Sequence, residues 1–462
     1  MAQGPTRRIA ELIVETKLSD VTGEALRIAK DCFFDTVGVA LAGRTQPAAK
    51  KVISFVKAMG GAPAASAIGA GFQTSPWAAA LVNGTSAATL DYDDNTWRGL
   101  GHFSGPNVSA ILAMAEARGL SGQAVLEAHV IGFEAANKIG RGLQPGQYMS
   151  GRHASGTIGV LSATAACVKL LGLDSATTAV ALGIAASASG AIRGNFGTMT
   201  KGFHSGMAAS NAIMAASLAA DGFTARPDIL EITYGFADTT VRDGSYRLDE
   251  IGEDWGNPWD FVEPGAGIKF QPSGSMSFCA AQVAMELAIE HDIRPEEVES
   301  VSCRTSALAM ELGHFKVPRD VNEAQYSIAW AVAVAIADRK RGLAQFSQDR
   351  IKDSRVLALT KKVGLSLHPD LATLADIHDL AACELSITMK DGRQFSKFQR
   401  RPLGYPGGEP WSAAMLEGKF REAASLALPL SAVEQSMTML RDIETIGDIR
   451  ELMAVLRGSS TS

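Results

Sequence analysis

The chain has 462 residues, of which 46% are hydrophobic and 20% charged, and this is ample apolar material for one large core. The 43 Lys and Arg residues and the 49 Asp and Glu residues leave a formal net charge of −6. This balance lacks the basic excess of proteins that bind a phosphate backbone, so it argues against a nucleic-acid partner.

Helices are predicted for the first half of the chain. From Arg7 to about Ala220 the sequence is rich in Ala, Leu and Ile, and its apolar residues recur three and four positions apart. Residues that favour helix ends, such as Ser121 and Gly172, punctuate this segment. Small residues on the inward faces let helices approach closely, so the pattern predicts a compact helical bundle.

A different pattern begins after Pro264-Gly265. Residues 298–305 carry β-favouring side chains and predict a strand. Residues 383–389 alternate in polarity, and they are followed by an Asp391-Gly392 turn and by a returning segment, 393–398, so together they predict a hairpin.

Helical periodicity resumes at 412–457, after a linker at 401–408 that is rich in Pro and Gly. This order predicts a mainly α fold in which a large helical-bundle domain is discontinuous in sequence. We place that domain at 1–264 and 404–462, with a smaller α+β lid domain, 265–403, inserted into it.

Targeting and cofactor signals are weak throughout. The N-terminal residues contain no apolar stretch of the roughly 7 to 15 residues typical of a secretory signal. The longest apolar run, 328–337, falls short of the roughly 18 residues that indicate a membrane span. Five scattered cysteines without a C-x-x-C pair argue against a disulfide framework and a zinc site. We expect a cytoplasmic protein without a nucleotide cofactor or a metal.

The densest polar cluster is the segment 91–102, which contains Asp91, Asp93, Asp94, Arg98 and His102. One interpretation is a loop that presents a carboxylate and an imidazole to a cavity, because histidine exchanges protons near neutral pH. A solvated loop in which an aspartate caps the next helix explains the cluster equally well.

Two further histidines, His153 and His204, lie among glycine and small hydroxylic residues, a setting that fits a small carboxylated ligand. Lys201 and Lys269 are the basic residues nearest to glycine-rich turns. For each histidine alone, an ordinary helix-start loop is the simpler explanation. The remaining histidines are predicted to have surface or capping roles: His129, His291, His314, His368 and His378.

Six motifs occur in a specific order along nearly the whole chain. They are Asp35-Thr36-Val37-Gly38, Asp91-Tyr92-Asp93-Asp94 with His102, Gly151-x-His153, Asn195 to Lys201 with His204, Lys269-x-x-Pro272, and Glu323-Ala324-x-x-Ser327. With these motifs the chain resembles the MmgE/PrpD family. The resemblance implies a homodimer with an active site between a helical domain and a lid, and reactions next to a carboxylate of a small polycarboxylic acid without a required cofactor.

The resemblance also implies roles for single residues. Asp91 would orient the loop, Thr96 would donate a hydrogen bond to the substrate, and His102 and His153 would act as acid and base. Lys201, His204 and Lys269 would bind substrate carboxylates. We therefore predict the catalytic set Asp91, Thr96, His102, His153 and Lys201, and the substrate-binding set His204, Lys269, Arg98 and Gln271.

Departures from the family pattern predict a pocket with less positive charge. Gln271 stands where the family commonly has Tyr, Phe278 where it has His, and Met207 where it has a basic residue. Phe103 and Gly202 replace common prolines. Since a missing cation weakens the binding of a buried carboxylate, we expect a substrate with fewer carboxylates than citrate, unless an arginine compensates. The candidate arginines are Arg98, Arg152 and Arg193.

These observations favour a cofactor-independent isomerase or lyase, with an epimerase preferred because two histidines on opposite faces suit proton exchange. A dehydratase of the 2-methylcitrate type and an inactive family member that binds a metabolite are the alternatives. An isoprenoid synthase fits less well, because no second metal-binding motif follows the aspartates.

Overall fold

The computed structural model describes residues 4–371 and 379–459. It is 59% helical with few strands, which confirms the prediction of a mainly α fold. The chain divides into two compact units, a first unit of residues 1–195, 199–268 and 412–462 and a second unit of 196–198 and 269–411. The sequence predicted nearby limits, at 264 and 403, but it did not predict that 196–198 belongs to the second unit.

The helices follow one another through the first unit, give way to the mixed second unit, and return near the C terminus. In chain order they are α1 (Pro5–Glu15), α2 (Gly23–Gly43), α3 (Pro47–Met59), α4 (Pro76–Ala88), α5 (Ser104–Arg118), α6 (Gly122–Leu143), α7 (Gly146–Met149), α8 (Ala154–Leu171), α9 (Ser175–Ser187), α10 (Met199–Ala220), α11 (Phe236–Thr240), α12 (Phe278–Glu290), α13 (Ala307–Leu312), α14 (Val321–Ala324), α15 (Ile328–Asp338), α16 (Ser354–Lys361), α17 (Ala413–Ala424), α18 (Leu430–Arg441) and α19 (Arg450–Arg457).

Helices α4 and α10 touch backbone to backbone in the core of the first unit. A Cβ atom added to Gly206 would lie 2.4 Å from the Leu81 carbonyl oxygen, and one added to Gly84 would lie 2.8 Å from the Gly206 Cα atom. Only glycine allows this approach, since any side chain would push the helices apart. The contact brings the end of α4, and the loop after it, close to the first turn of α10.

Helix α8 forms the centre of the first unit. It is long and apolar enough to cross a membrane, and 83% of it is buried inside the protein, as in the core helix of a folded domain. Its first residue follows His153, and its glycines and alanines face α5, α6 and α10. The N-terminal end of α8 therefore lies beside the segments that carry the other histidines.

Strands are short in the first unit and longer in the second. In chain order they are β1 (Ala65–Ala67), β2 (Phe72–Thr74), β3 (Asn95–Thr96), β4 (Ala266–Gly267), β5 (Val298–Thr305), β6 (Val363–Leu367), β7 (Cys383–Met389) and β8 (Gln394–Gln399). The second unit has a four-stranded sheet in the order β6-β5-β7-β8, in which only β5 and β6 are parallel. The predicted strand at 298–305 and the hairpin around Asp391-Gly392 are confirmed. Strand β6 was not predicted.

Candidate active site

Asp91 lies in the loop that follows α4, and it contacts two other predicted site residues. Its Oδ1 atom is 3.0 Å from Nζ of Lys201 and 3.7 Å from Nε2 of His102. The carboxylate is buried, and its backbone has a φ of 51°, a left-handed conformation that few residues other than glycine adopt. The chain thus holds this carboxylate in a fixed place between an ammonium group and an imidazole.

His102 is oriented by the backbone of the same loop. Its Nδ1 atom lies 2.7 Å from the carbonyl oxygen of Asp94, and its backbone N–H donates to Oγ of Ser155 at 3.0 Å. A carbonyl oxygen only accepts, so Nδ1 carries a hydrogen. The other nitrogen, Nε2, therefore faces Asp91 and is the atom able to exchange a proton.

Two more carboxyl groups of this loop, Asp93 and Asp94, are fully buried. The Ser104 hydroxyl donates to Oδ2 of Asp94. Burial raises the pKa of Asp94 to about 7, and the nearby carboxylates of Asp93 and Asp35 act in the same direction, whereas the Ser104 hydrogen bond lowers it. Asp94 therefore changes its protonation near neutral pH although it is sealed from solvent.

His153 and His204 form a direct pair. Their Nδ1 atoms are 3.0 Å apart, and both side chains are buried. Burial lowers the pKa of His153 well below the usual value, and the positive charge of Lys201 lowers it further. Burial and Lys201 also lower the pKa of His204 to about 4. The His102 ring centroid is 6.5 Å from that of His153, so all three imidazoles lie close together.

Thr96 and Arg98 each contact another side chain of the first unit. The Thr96 hydroxyl donates to Oδ1 of Asn137, and Nε of Arg98 donates to Oδ1 of Asp260. Lys138 contacts the other oxygen of Asp260 at 3.0 Å. Arg98 and Lys138 thus share the buried Asp260 carboxylate within the first unit, and the substrate-binding role of Arg98 stays a prediction.

The other two candidate arginines, Arg193 and Arg152, also have contacts within the first unit. The Arg193 guanidinium stacks on the Tyr148 ring at 4.0 Å and donates to the Tyr148 carbonyl at 2.9 Å. Arg152 points its Nη2 atom at the Thr239 carbonyl, 3.5 Å away. Met207 packs against an apolar cluster that includes Leu81. The expectation of a pocket with less positive charge stays a prediction.

Lys269 and Gln271 belong to the second unit, where both are buried. Lys269 has its Nζ atom 3.5 Å from the Ser273 carbonyl and 5.9 Å from the centre of the Phe278 ring. Gln271 donates to the hydroxyls of Ser273 and Ser277 at 2.8 and 3.0 Å. Its Oε1 atom has no hydrogen-bond partner among residues 4–371 and 379–459. The substrate-binding roles of both residues stay predictions.

Sequence analysis missed one residue that supports the site. Lys419, on α17, has its Nζ atom 2.9 Å from the Tyr92 carbonyl and 3.8 Å from the centre of the Tyr92 ring. It thereby fixes the residue that follows Asp91. No local signal marks Lys419, because its partners are more than 300 residues away in sequence.

The prediction for His129 was wrong. Its ring is fully buried between Phe33 and Phe261, with centroids at 5.4 and 5.5 Å, and burial lowers its pKa to about 3. It is therefore a neutral core side chain and not a surface or capping group. The capping prediction is confirmed at His368, whose Nδ1 atom accepts from the Asp370 amide at 3.2 Å. His291 is half-buried and stacks on Phe395, His314 is exposed, and His378 lies outside the described residues.

Asp91, Asp93 and His102 offer oxygen and nitrogen atoms within 4.8 Å of one another, a spacing compatible with a metal ion. The Lys201 ammonium already supplies a positive charge at Asp91.

A mainly helical fold with buried imidazoles around an Asp–Lys ion pair defines a candidate acid–base enzyme. Residues 7–249 match the family model of the MmgE/PrpD N-terminal domain, and residues 272–445 match that of the MmgE/PrpD C-terminal domain. The chain belongs to the MmgE/PrpD family.

Curated relatives match the chain over almost its whole length. It is 26% identical to a cis-aconitate decarboxylase of Mus musculus, with 100% of this chain and 95% of the relative covered. It is 27% identical to a cis-aconitate decarboxylase of Homo sapiens, with 100% and 96% covered. A cis-aconitate decarboxylase of Aspergillus terreus is 25% identical, with 98% and 96% covered.

Proposed function

We propose that the protein is a cofactor-independent lyase that acts next to a carboxylate of a small polycarboxylic acid, with cis-aconitate as the first substrate to test. Cis-aconitate carries three carboxylates, as citrate does, so its turnover would overturn the expectation of an acid with fewer carboxylates. The observation that carries the proposal is the contact of one buried carboxylate, Asp91, with both the Lys201 ammonium and Nε2 of His102. A cation and a proton-exchanging group at one place are what a reaction with a developing carbanion requires.

His102 is the acid or base in this proposal. Its Nδ1 hydrogen is held by the Asp94 carbonyl, so only Nε2 exchanges protons with the substrate. Lys201 stabilises negative charge that spreads onto the retained carboxylate. In a decarboxylation, the bond to the departing carboxyl carbon breaks, its electron pair stays on the substrate, and an imidazolium delivers the proton that replaces carbon dioxide.

The relatives favour decarboxylation over the epimerisation that sequence analysis preferred, because the relatives from Mus musculus, Homo sapiens and Aspergillus terreus are named cis-aconitate decarboxylases. Epimerisation is the second candidate. It is favoured by the presence of two separately held proton-exchanging groups, His102 and the His153–His204 pair, since exchange on opposite faces of a carbon needs two.

A panel assay in deuterium oxide separates the candidates. The purified protein is incubated with cis-aconitate, 2-methylcitrate, citrate and iminodisuccinate. Release of carbon dioxide from cis-aconitate with one deuterium in the product supports the proposal. Exchange of deuterium without loss of carbon dioxide or water indicates an epimerase, and formation of an ultraviolet-absorbing alkene indicates a dehydratase. Binding of these acids without any reaction would contradict the enzyme assignment and favour the inactive, metabolite-binding alternative.

His102→Gln is the informative variant for this assay, because glutamine keeps hydrogen-bonding capacity but cannot exchange a proton at neutral pH. His314→Gln is the matched control, since His314 is exposed in the second unit. The homodimer and the cytoplasmic location stay predictions, and light scattering of the purified protein tests the first of them.

A further inference from the structure

The contact between His153 and His204 restricts how many protons the two rings can hold. Their Nδ1 atoms are 3.0 Å apart, which is a hydrogen-bond distance with room for one hydrogen. If both nitrogens carried hydrogens, the two donors would face each other without an acceptor. The pair is therefore either neutral or singly positive. In the singly positive form, both outer nitrogens, Nε2 of each ring, carry hydrogens and are donors.

Burial and the nearby Lys201 keep the His153–His204 pair neutral when no anion is bound. The charged and titratable groups around it are Lys201, which lies on α10 as His204 does, His102 before α5, and Asp91 after α4. Burial and the positive charge of Lys201 lower the pKa values of both histidines, and the pKa of His204 falls to about 4. Asp91 raises the pKa of His153, but this effect is smaller. The pair consequently carries no charge at neutral pH while the site lacks an anion.

Binding of a substrate carboxylate would instead favour the singly positive form of the His153–His204 pair. Asp91 lies 3.0 Å from the Lys201 ammonium, so once a substrate carboxylate also reaches this ammonium, one positive charge faces two buried anions and a second positive charge is needed. Arg98 and Arg193 have other partners, and Met207 is not a cation. His102, which contacts the same carboxylate as Lys201, serves as the acid or base of the proposed reaction. The His153–His204 pair is a further group near Lys201 that is able to become positive, and it then offers two hydrogen-bond donors.

We infer that binding of a substrate carboxylate draws one proton from solution onto the His153–His204 pair, which makes the pair the cation that recognises the anion. The inference rests on the proposed function, because it assumes that the site takes a carboxylate. It explains how a site with few permanent cations binds an anion while remaining nearly neutral when empty.

Proton uptake makes affinity depend on pH by linkage. If one proton enters with the ligand, the dissociation constant rises about tenfold for each pH unit above neutrality, and it is independent of pH if no proton enters. A suitable probe is tricarballylate, a saturated tricarboxylate that has no hydroxyl to eliminate. Its carboxyl groups are fully ionised at pH 8, so they contribute no protons of their own.

Isothermal titration calorimetry of the full-length protein at pH 8, in phosphate and in Tris, counts the protons directly, because these buffers have different heats of ionisation. We expect uptake of about one proton per bound tricarballylate. The same uptake is expected for His102→Gln, and none for the double variant His153→Gln/His204→Gln if that variant folds by circular dichroism.

The wild-type measurement needs no variant and decides the inference by itself. Binding with the same enthalpy in both buffers, and with a dissociation constant independent of pH, would overturn it. Loss of the uptake in His102→Gln, or uptake of two protons in that variant, would also overturn it. If neither tricarballylate nor cis-aconitate binds at all, the proposed function itself fails, and the inference fails with it.

Discussion

The Nζ atom of Lys419 lies 2.7 Å from Oδ1 of Asp35, although 384 residues separate the two in sequence. Both side chains are almost completely buried. The same ammonium contacts the Tyr92 carbonyl, so α17 and α2 together hold the loop that presents Asp91. The C-terminal segment of the chain is thus part of the support of the candidate site.

Replacing Lys419 by Met should destabilise the protein strongly. The change leaves the Asp35 carboxylate buried without its partner, and breaking a buried pair in this way typically costs about 3 to 5 kcal/mol. The measurement is the free energy of unfolding in urea, followed by circular dichroism. The double variant Lys419→Met/Asp35→Asn should recover part of the loss, because no unpaired charge remains.

Lys397→Met is the matched control for this prediction, since it removes an exposed lysine that pairs with Glu286 on the surface. Its effect should stay below about 1 kcal/mol. An equally small effect of Lys419→Met would show that the buried pair does not hold the loop.

Deprotonation of the buried Asp94 should lower the free energy of unfolding as pH rises. Burial raises its pKa from the ordinary value of 3.8 to about 7 in the folded protein, so between these values the folded state holds a proton that the unfolded state has already released. The stabilisation is fully present below about pH 4 and is lost as pH rises through about 7, with a limiting slope of about 1.4 kcal/mol per pH unit.

Urea unfolding of the wild type and of Asp94→Asn between pH 5 and pH 8 isolates this contribution. The amide resembles the neutral acid, so the stability of Asp94→Asn relative to the wild type should increase toward pH 8. Subtracting the two curves removes the titration of other groups, such as Glu134, whose pKa is also raised to about 7 by burial. A difference that stays constant over this range would contradict the prediction.

The helical segments and the hairpin could be predicted because their signals are local. Apolar residues with helical spacing and the Asp391-Gly392 turn each lie within a few residues of one another. Strand β6 was missed because it joins the sheet next to β5, which is distant in sequence, and only five residues form it.

The site could be predicted in part. The structure brings together Asp91, His102, His153, Lys201 and His204, which sequence analysis selected from small-residue loops and from the family resemblance. Their roles stay predictions until activity is measured.

Contacts between residues that are distant in sequence could not be predicted, because local sequence patterns do not indicate tertiary packing. Nothing in the segment around His129 indicates that Phe33 and Phe261 enclose its ring. The contact of Arg98 with Asp260, 162 positions away, has no local sequence signal either. The contact of Lys419 with Asp35 spans most of the chain and has no sequence signature.

Lys201→Met should lower turnover of the preferred acid by about 100-fold or more, because it removes the positive charge that stabilises the developing anion. Lys201→Arg keeps the charge and should retain more activity than Lys201→Met. The values of kcat and KM are measured for both variants, with the exposed Lys50→Met in the same unit as the control. Activity of Lys201→Met within threefold of the wild type would remove Lys201 from the mechanism.

The most direct test of the central claim, that imidazole Nε2 of His102 exchanges the proton beside Asp91 and Lys201, is the rate of carbon dioxide release from cis-aconitate by His102→Gln. General acid–base catalysis contributes about 100-fold to 10,000-fold, so kcat should fall by at least about 100-fold, while His314→Gln keeps the wild-type rate. A folded His102→Gln protein that releases carbon dioxide at the wild-type rate would contradict the account.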